Sequence, residues 1–136
     1  MAKQGFATSD RRKVEVLSTL THTVKVHDCG TVFVCAEATA GSSATYTLPS
    51  IQQAGEGWWC RFVLSAVKNN GQEVAIAAAA GDTLATVVNV SGDAVAAGVT
   101  TGANKLDFDG DADAKGDVIE VMVANGEWFA IGLTAA

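Results

Sequence analysis

The sequence predicts an all-β fold, an antiparallel β-sandwich or barrel, from three observations. Ala, Val, Gly and Thr supply 68 of the 136 residues, and hydrophobic residues make up 49% of the chain. Short β-prone runs of alternating polar and apolar residues follow one another from residue 24 onward. Asn-Gly and Gly-Asp pairs, which are typical of tight turns, separate these runs. We therefore expect about eight to ten short strands in a jelly-roll-like arrangement, with little helix.

The first strands are predicted on either side of a turn at residues 28–30. Residues 24–27 alternate, and residues 31–36 form a strongly β-prone run. Residues 44–48 alternate again and end at Pro49, which cannot donate to a β-ladder. A helical turn is predicted at residues 51–54.

Two pairs of apolar runs are joined by Asn-Gly, the strongest short signal for a hairpin. Residues 58–67 and 72–78 flank the first pair, Asn70-Gly71, and residues 118–124 and 127–133 flank the second, Asn125-Gly126. In the terminal hairpin we expect Phe129, rather than Trp128, to lie in the core, because it shares one strand face with the apolar residues Ile131 and Leu133. Ile119, Val121 and Val123 share one face of the partner strand.

The four Gly-Asp pairs are spaced unequally, by 11, 18 and 6 residues. A solenoid requires a fixed period, so these pairs are interpreted as turns of a multi-stranded protein and not as a repeat.

Charge is distributed unevenly between the N-terminal segment and the rest of the chain. Residues 1–25 hold five bases and two acids, and residues 26–136 have a net charge of −9. This pattern predicts a short, extended, basic N-terminal arm at residues 1–22 and a β domain at residues 23–136. Arg11, Arg12 and Lys13 are the candidate partner-binding residues of the arm. The alternative is a solvated terminus without a role.

The acidic balance of the chain argues against two classes of partner. A domain of this charge does not attract nucleic acid or an anionic membrane surface. The N-terminal residues show no apolar run of signal-peptide length, and no run of about 18 apolar residues predicts a membrane-spanning helix. We therefore expect neither nucleic acid nor membrane among the partners, and synthesis in a reducing cytoplasm.

Two stretches consist almost entirely of small residues, residues 77–81 and 93–105. Such stretches cannot fill a core by themselves, so we expect them to pack against another copy of the chain. The alternative is that they are surface loops. Adjacent aromatic residues at a strand start commonly divide between the core and an interface. The predicted oligomer interface comprises Trp58, Ala78, Ala79 and Val99.

One acidic cluster has the residue types of a calcium loop. Asp109, Asp111 and Asp113 occupy alternate positions, and Asp117 and Glu120 follow at the spacing of later ligands. Ala114, however, stands where the loop requires Gly, and the flanking residues are strand-like. An acidic, solvated loop is the favoured interpretation, and a Ca²⁺ site is the alternative.

No catalytic constellation is present in the sequence. The odd number of cysteines, Cys29, Cys35 and Cys60, indicates free thiols, which we expect to be buried. A metal site combining cysteines with His27 would lack a fourth ligand at suitable spacing. No nucleophile motif and no glycine-rich phosphate loop occurs. We expect a protein that is not an enzyme and requires no cofactor.

Four segments carry a resemblance to a known class of proteins. The first two are Ala-Thr-Tyr-Thr-Leu-Pro (residues 44–49) and Gly-Trp-Trp-Cys-Arg-Phe-Val-Leu (residues 57–64). The last two are Val-Ala-Ile-Ala-Ala-Ala-Ala-Gly-Asp-Thr-Leu (residues 74–84) and Gly-Asp-Val-Ile-Glu-Val-Met-Val-Ala-Asn-Gly-Glu-Trp-Phe-Ala-Ile-Gly (residues 116–132). Together they resemble modules of tailed-bacteriophage virion proteins, seen in capsid decoration (cement) proteins and in fibre or spike proteins. The resemblance covers about residues 44–133.

The resemblance implies a non-enzymatic structural protein, often a homotrimer. A short chain favours a decoration protein that binds the major capsid protein and stabilises the shell on the virion surface. The alternatives are a fibre or spike head that binds a host receptor, and a small Ca²⁺- or sugar-binding β-sandwich module.

Overall fold

The computed structural model describes residues 11–39, 41–68, 72–90, 100–103, 105–108 and 114–134. Strands dominate these residues, which confirms the all-β prediction. The strands are β1 (Lys13–Leu17), β2 (Thr21–Thr23), β3 (Thr31–Cys35), β4 (Ala44–Thr47), β5 (Trp59–Leu64), β6 (Val74–Ala77), β7 (Leu84–Val90), β8 (Thr100–Ala103), β9 (Lys105–Phe108), β10 (Val118–Ala124) and β11 (Glu127–Thr134). A 3₁₀ turn at Val26–Asp28 and a short helix, α1 (Ile51–Ala54), complete the elements.

The described strands form two sheets in which parallel and antiparallel pairs are mixed. The seven-stranded sheet has the order β1-β3-β5-β10-β11-β7-β8, and the four-stranded sheet has the order β2-β4-β6-β9. Five of the nine pairings are parallel: β1 with β3, β3 with β5, β7 with β11, β2 with β4, and β4 with β6. The prediction of an antiparallel arrangement is therefore wrong for more than half of the pairings.

The parallel pairs arise because the chain alternates between the two sheets. Strands β1, β3 and β5 are neighbours in one sheet, and β2, β4 and β6 are neighbours in the other. Parallel strands need a long crossover, and each crossover between the parallel pairs of β1 to β6 runs through a strand of the opposite sheet. Three successive turns of chain thus stack as in a solenoid, although their lengths are unequal. The same winding places β5 and β6 in different sheets, so the hairpin expected across Asn70-Gly71 is wrong.

The first described residues join the sheets directly. Strand β1 begins at Lys13 and pairs with β3, and β2 pairs with β4. Two parts of the expected arm, Lys13–Leu17 and Thr21–Thr23, are therefore paired strands, and Leu17 is buried in the core. Residues 1–10 lie outside the described residues.

Side chains from both sheets share one core. Phe62 of β5 stacks on Phe33 of β3 with a centroid distance of 5.3 Å, and Tyr46 of β4 faces the same ring at 6.4 Å. The Tyr46 hydroxyl donates to the carbonyl of Thr19 at 3.1 Å, which gives this buried polar group a partner. Burial raises the pKa of Tyr46 above its usual value, so the phenol stays neutral.

The terminal hairpin is present, and its turn has the geometry that Asn-Gly predicts. Asn125 and Gly126 both have positive φ, 52° and 72°. The carboxylate of Glu56 accepts hydrogen bonds from the backbone N–H groups of both residues, at 2.7 and 2.6 Å. A single carboxylate from a distant loop thus satisfies both donors of the turn.

The face assignment of β11 is corrected by the register of this hairpin. A two-residue turn places Ala124 opposite Glu127, and therefore Val123 opposite Trp128. Residues opposite one another in an antiparallel pair share a face. Because Ile119, Val121 and Val123 are buried, the buried residues of β11 are Trp128 and Ala130. Phe129, Ile131 and Leu133 lie on the outer face, and Phe129 is 38% exposed.

Candidate functional site

The outer face of the seven-stranded sheet is apolar across five neighbouring strands. Its exposed side chains include Val14 and Val16 of β1, Met122 of β10, and Ile131 and Leu133 of β11, with exposed fractions between 44% and 62%. Half-buried apolar residues fill the positions between them: Val32, Val34, Trp59, Val63 and Val118. We call this surface, together with Phe129, the outer apolar face.

Cross-strand pairing makes the outer apolar face continuous. Val14 and Val16 lie opposite Val32 and Val34, while Met122 lies between Trp59 and Phe129. The five strands span about 20 Å across, and their five-residue segments are about 17 Å long. An area on the order of 350 Å² is comparable to the largest apolar patches of monomeric proteins, which are often functional.

One ion pair lies at the middle of this face. Arg61 of β5 and Glu120 of β10 are opposite one another, and the Arg61 Nη2 donates to the Glu120 Oε2 at 3.1 Å. Both side chains are about one-third exposed, at 33% and 31%. The pair leaves the centre of the outer apolar face with no net charge.

Two of the three basic residues expected to contact a partner make contacts within the chain. The Arg12 guanidinium carbon lies 5.7 Å from the centroid of the Trp59 ring, a cation–π distance. The Lys13 ammonium donates to the carbonyl of His27 at 3.0 Å. Arg11 is exposed. Arg12 therefore borders the outer apolar face, and the role of the three residues in binding a partner stays a prediction.

The described residues among those expected at an oligomer interface do not lie on the outer apolar face. Trp58 is only 4% exposed, and its ring meets Trp128 edge to face at 5.6 Å, while its Nε1 donates to the carbonyl of Val26. The expectation for Trp58 is corrected, because its neighbour Trp59 occupies the outward strand position. Ala78 packs on the core, and Ala79 lines a cleft beside Val24 and Leu48. Val99 lies outside the described residues.

The residues of the possible calcium loop are described only at their C-terminal end. Asp109, Asp111 and Asp113 lie outside the described residues. Asp117 is buried and its Oδ2 accepts from the backbone N–H of Ala114 at 2.9 Å. Glu120 is paired with Arg61 on the outer sheet face. The carboxylates of Asp117 and Glu120 are therefore engaged in other contacts.

The two buried cysteines are not activated nucleophiles. All three cysteines are free thiols, and Cys35 and Cys60 are buried as expected. Burial raises the pKa of Cys35 to about 12 and that of Cys60 well above its usual value, so both thiols stay protonated. Cys29 is exposed, which corrects the prediction that it is buried, because it follows the 3₁₀ turn at the surface.

A buried lysine forms a polar pair that the sequence does not predict. The Lys68 side chain is 1% exposed, and its Nζ lies 3.9 Å from the Glu37 Oε1 and 3.4 Å from the carbonyl of Thr39. Hydrogen bonds from the side chain and backbone of Thr39 hold the pKa of Glu37 below its usual value of 4.5, and Lys68 contributes in the same direction. The Glu37 carboxylate is therefore charged at neutral pH and balances the ammonium.

Glu37→Gln is expected to destabilise the protein more than Lys68→Met does. The first variant leaves a buried ammonium without its counter-charge, whereas the second replaces that ammonium with an apolar side chain of similar length. Urea denaturation of both variants at pH 7 measures the difference. A larger loss of stability in Lys68→Met would contradict the assignment.

The Glu37–Lys68 pair makes the stability of the protein depend on pH, and the sign of that dependence follows from the lowered pKa of Glu37. A carboxylate whose folded-state pKa is lowered contributes stability above its unfolded pKa, and that contribution is lost as pH falls through the folded value. The stability gap between the wild type and Glu37→Gln is therefore expected to shrink as pH falls below 4.5. A gap that is constant from pH 7 to pH 3 would exclude the ionised Glu37 as its cause.

No helix among the described residues is both long and apolar enough to cross a bilayer. Comparison of the chain with protein-family models, with curated proteins and with solved structures finds no match.

Proposed function

We propose that this protein is a capsid decoration protein of a tailed bacteriophage, which binds and stabilises the shell as a homotrimer. The observation that carries the proposal is the outer apolar face, an exposed apolar surface that spans five neighbouring strands. The resemblance of residues 44–133 to virion modules supports the same class. A protein of this kind acts by binding alone, and we propose no enzymatic activity and no cofactor for that role.

Self-association through the outer apolar face follows from its chemistry. The chain carries a net charge of −6, so copies repel one another at long range. The centre of the face bears an ion pair with no net charge, and burial of the apolar residues around it lowers the free energy of the assembly. In a three-fold arrangement, three such faces turn toward one axis and cover one another. The shared core of the two sheets further supports a β-sandwich architecture for each protomer.

The major capsid protein is the second proposed partner. Arg11 is exposed, and Arg12 borders the outer apolar face. Guanidinium groups form strong, charge-assisted hydrogen bonds with carboxylates. We propose that Arg11 and Arg12 contact acidic groups of the capsid lattice, which places the protein on the surface of the virion.

Ile131→Lys is expected to convert the trimer to a monomer. The wild type should show a mass three times the 13.9 kDa of the chain at micromolar concentration, and the variant should show the mass of one chain. Ile131 is 60% exposed, so the change places a charge in the contact without disturbing the core of the protomer. Light scattering coupled to size-exclusion chromatography gives the mass.

Thr45→Lys is the matched control for this measurement. Thr45 is an exposed residue of β4 in the other sheet, and the substitution adds the same charge away from the outer apolar face. We expect it to remain a trimer. A wild-type mass near that of one chain would refute self-association through this face.

Co-sedimentation with capsids that lack decoration protein tests the proposed function itself. We expect the wild type to pellet with the shells and Arg11→Ala/Arg12→Ala to pellet less, with a weaker dependence on salt. Binding to host cells without binding to shells would instead identify the protein as a fibre or spike head.

A further inference from the structure

Three side chains with metal-binding groups converge where the first two strands meet the 3₁₀ turn. They are Glu15 of β1, His22 of β2 and Asp28 at the end of the turn, and one ligand atom from each lies within 4.8 Å of the other two. Strand β1 is the edge of the seven-stranded sheet and β2 is the edge of the four-stranded sheet. The cluster therefore connects the two sheets at the side where their edge strands β1 and β2 lie.

Strand geometry explains why Glu15 and His22 point toward each other. Glu15 lies two residues before the buried Leu17 and opposite the buried Phe33, so its side chain is on the core side of β1. His22 lies opposite the buried Tyr46 in the other sheet, and its ring tilts against that of Phe33 at a centroid distance of 5.8 Å. Both side chains thus lie on the core-facing sides of their strands, at the margin of the core.

The histidine carries an unsatisfied buried atom. His22 Nε2 is inaccessible to solvent and has no hydrogen-bond partner among the residues that the structure describes. A buried polar atom without a partner costs free energy, and each such atom in a folded protein needs an explanation. A bound metal ion would provide one.

Asp28 is held in place by the turn itself. Its Oδ2 accepts from the backbone N–H of Lys25 at 2.9 Å, and its Oδ1 lies 3.9 Å from Nε2 of the exposed His27. Lys13 anchors the same turn through the carbonyl of His27. The carboxylate is therefore oriented by hydrogen bonding, as metal-ligating carboxylates usually are.

We infer that Glu15, His22 and Asp28 bind a zinc ion. One imidazole nitrogen and two carboxylates match the ligands that zinc accepts, with water at the fourth position. Tetrahedral ligands about 2.1 Å from zinc lie about 3.4 Å apart, so side-chain movements on the order of an ångström close the site. The nitrogen ligand disfavours calcium, which takes oxygen ligands only.

Zinc at this position stabilises the attachment of β1 and β2 to the rest of the fold. Strand β2 has only three residues, and β1 has one neighbour, so backbone pairing alone holds them weakly. The ion links β1, β2 and the 3₁₀ turn at the open side of the core. Binding to the folded state alone raises its stability by mass action.

The first experiment compares thermal melting of the Cys29→Ser protein with EDTA, with zinc and with calcium. This background removes the exposed thiol, which could bind zinc by itself. We expect zinc at 100-fold excess over its dissociation constant to raise Tm by at least about 5 °C, and calcium at the same concentration to leave Tm unchanged. Cobalt should give the visible absorption of a four-coordinate site.

Ligand variants assign the site by isothermal titration with zinc. Glu15→Gln, on an exposed side chain, and His22→Asn should each weaken binding more than about tenfold. Glu127→Gln is the control, a remote exposed carboxylate, and should leave the affinity unchanged. The inference is overturned if zinc does not raise Tm, or if Glu15→Gln binds zinc as tightly as the Cys29→Ser background.

Discussion

Trp128→Ala is expected to lower the free energy of unfolding by about 3–5 kcal/mol, whereas Phe129→Ala should lower it by less than about 1 kcal/mol. Trp128 is completely buried, and its ring meets that of Trp58 edge to face with an interplanar angle of 88°. Truncation removes this contact and leaves a large cavity between the sheets. Phe129 lies on the outer face and loses only part of its contacts.

Urea denaturation of the two variants at low protein concentration, where association does not contribute, provides the measurement. Trp128→Phe is an informative third variant, because the indole Nε1 is buried without a hydrogen-bond partner among the described residues. Phenylalanine removes that donor, and we expect this variant to be much closer to the wild type than Trp128→Ala. Equal losses in Trp128→Ala and Phe129→Ala would contradict the register.

Gly132→Ala is expected to destabilise the protein by about 1–3 kcal/mol. Gly132 lies in β11 opposite Ile119, and a Cβ at this position would be 2.6 Å from the backbone oxygen of Val118 and 3.0 Å from Ile119 Cγ1. The nearer obstacle is backbone in a central strand, so the sheet itself has to shift.

A double-mutant cycle with Ile119→Ala separates the two contacts. This truncation removes Cγ1 of Ile119 and so relieves the longer contact only, and we expect Gly132→Ala to cost as much stability in the Ile119→Ala background as in the wild type. A cost that disappears in the Ile119→Ala background would show that the side chain, and not the Val118 carbonyl, is the obstacle. Denaturation midpoints at one pH and one salt concentration suffice for the comparison.

Most strand positions from β3 onward could be predicted from the sequence because each depends on a short pattern, and the strand partners could not. Strand β1 and most of β2 lie in the segment that was expected to be an arm, and the strand predicted at residues 24–27 is wrong because a 3₁₀ turn occupies Val26–Asp28. The run Thr31–Cys35 illustrates the difference. Its outward positions, Val32 and Val34, are as apolar as its inward position Phe33, and near-continuous apolar runs are typical of parallel strands. An alternating run would have favoured the antiparallel arrangement that we expected.

The Asn125-Gly126 turn contained more information than the strand patterns alone. A two-residue turn fixes which residues lie opposite one another, and this excludes a core that contains both Val123 and Phe129. Turn length therefore decides the phase of an alternating strand when both of its faces are apolar, as in β11.

The candidate sites depended on contacts between residues far apart in sequence, and for this reason sequence patterns missed them. Glu15, His22 and Asp28 have no regular spacing, and they meet only because β1 and β2 are the edges of different sheets. Arg61 and Glu120 are 59 residues apart and become neighbours through the pairing of β5 with β10. The apolar character of Ile131 and Leu133 was evident, but their exposure required the register.

The order of strands in the seven-stranded sheet has a consequence for synthesis on the ribosome. Strands β1, β3 and β5 can pair as soon as residue 64 has emerged, because the pairing partner of each new strand has already been synthesised. Strands β10 and β11, the last to be made, lie between β5 and β7 and join them. Until that hairpin is made, β5 and β7 are two additional unpaired strand edges of the nascent chain, and such edges are prone to association with other chains. We therefore expect ribosome-released fragments that end before residue 118 to aggregate, and the full chain to complete its sheet in a late, non-local step.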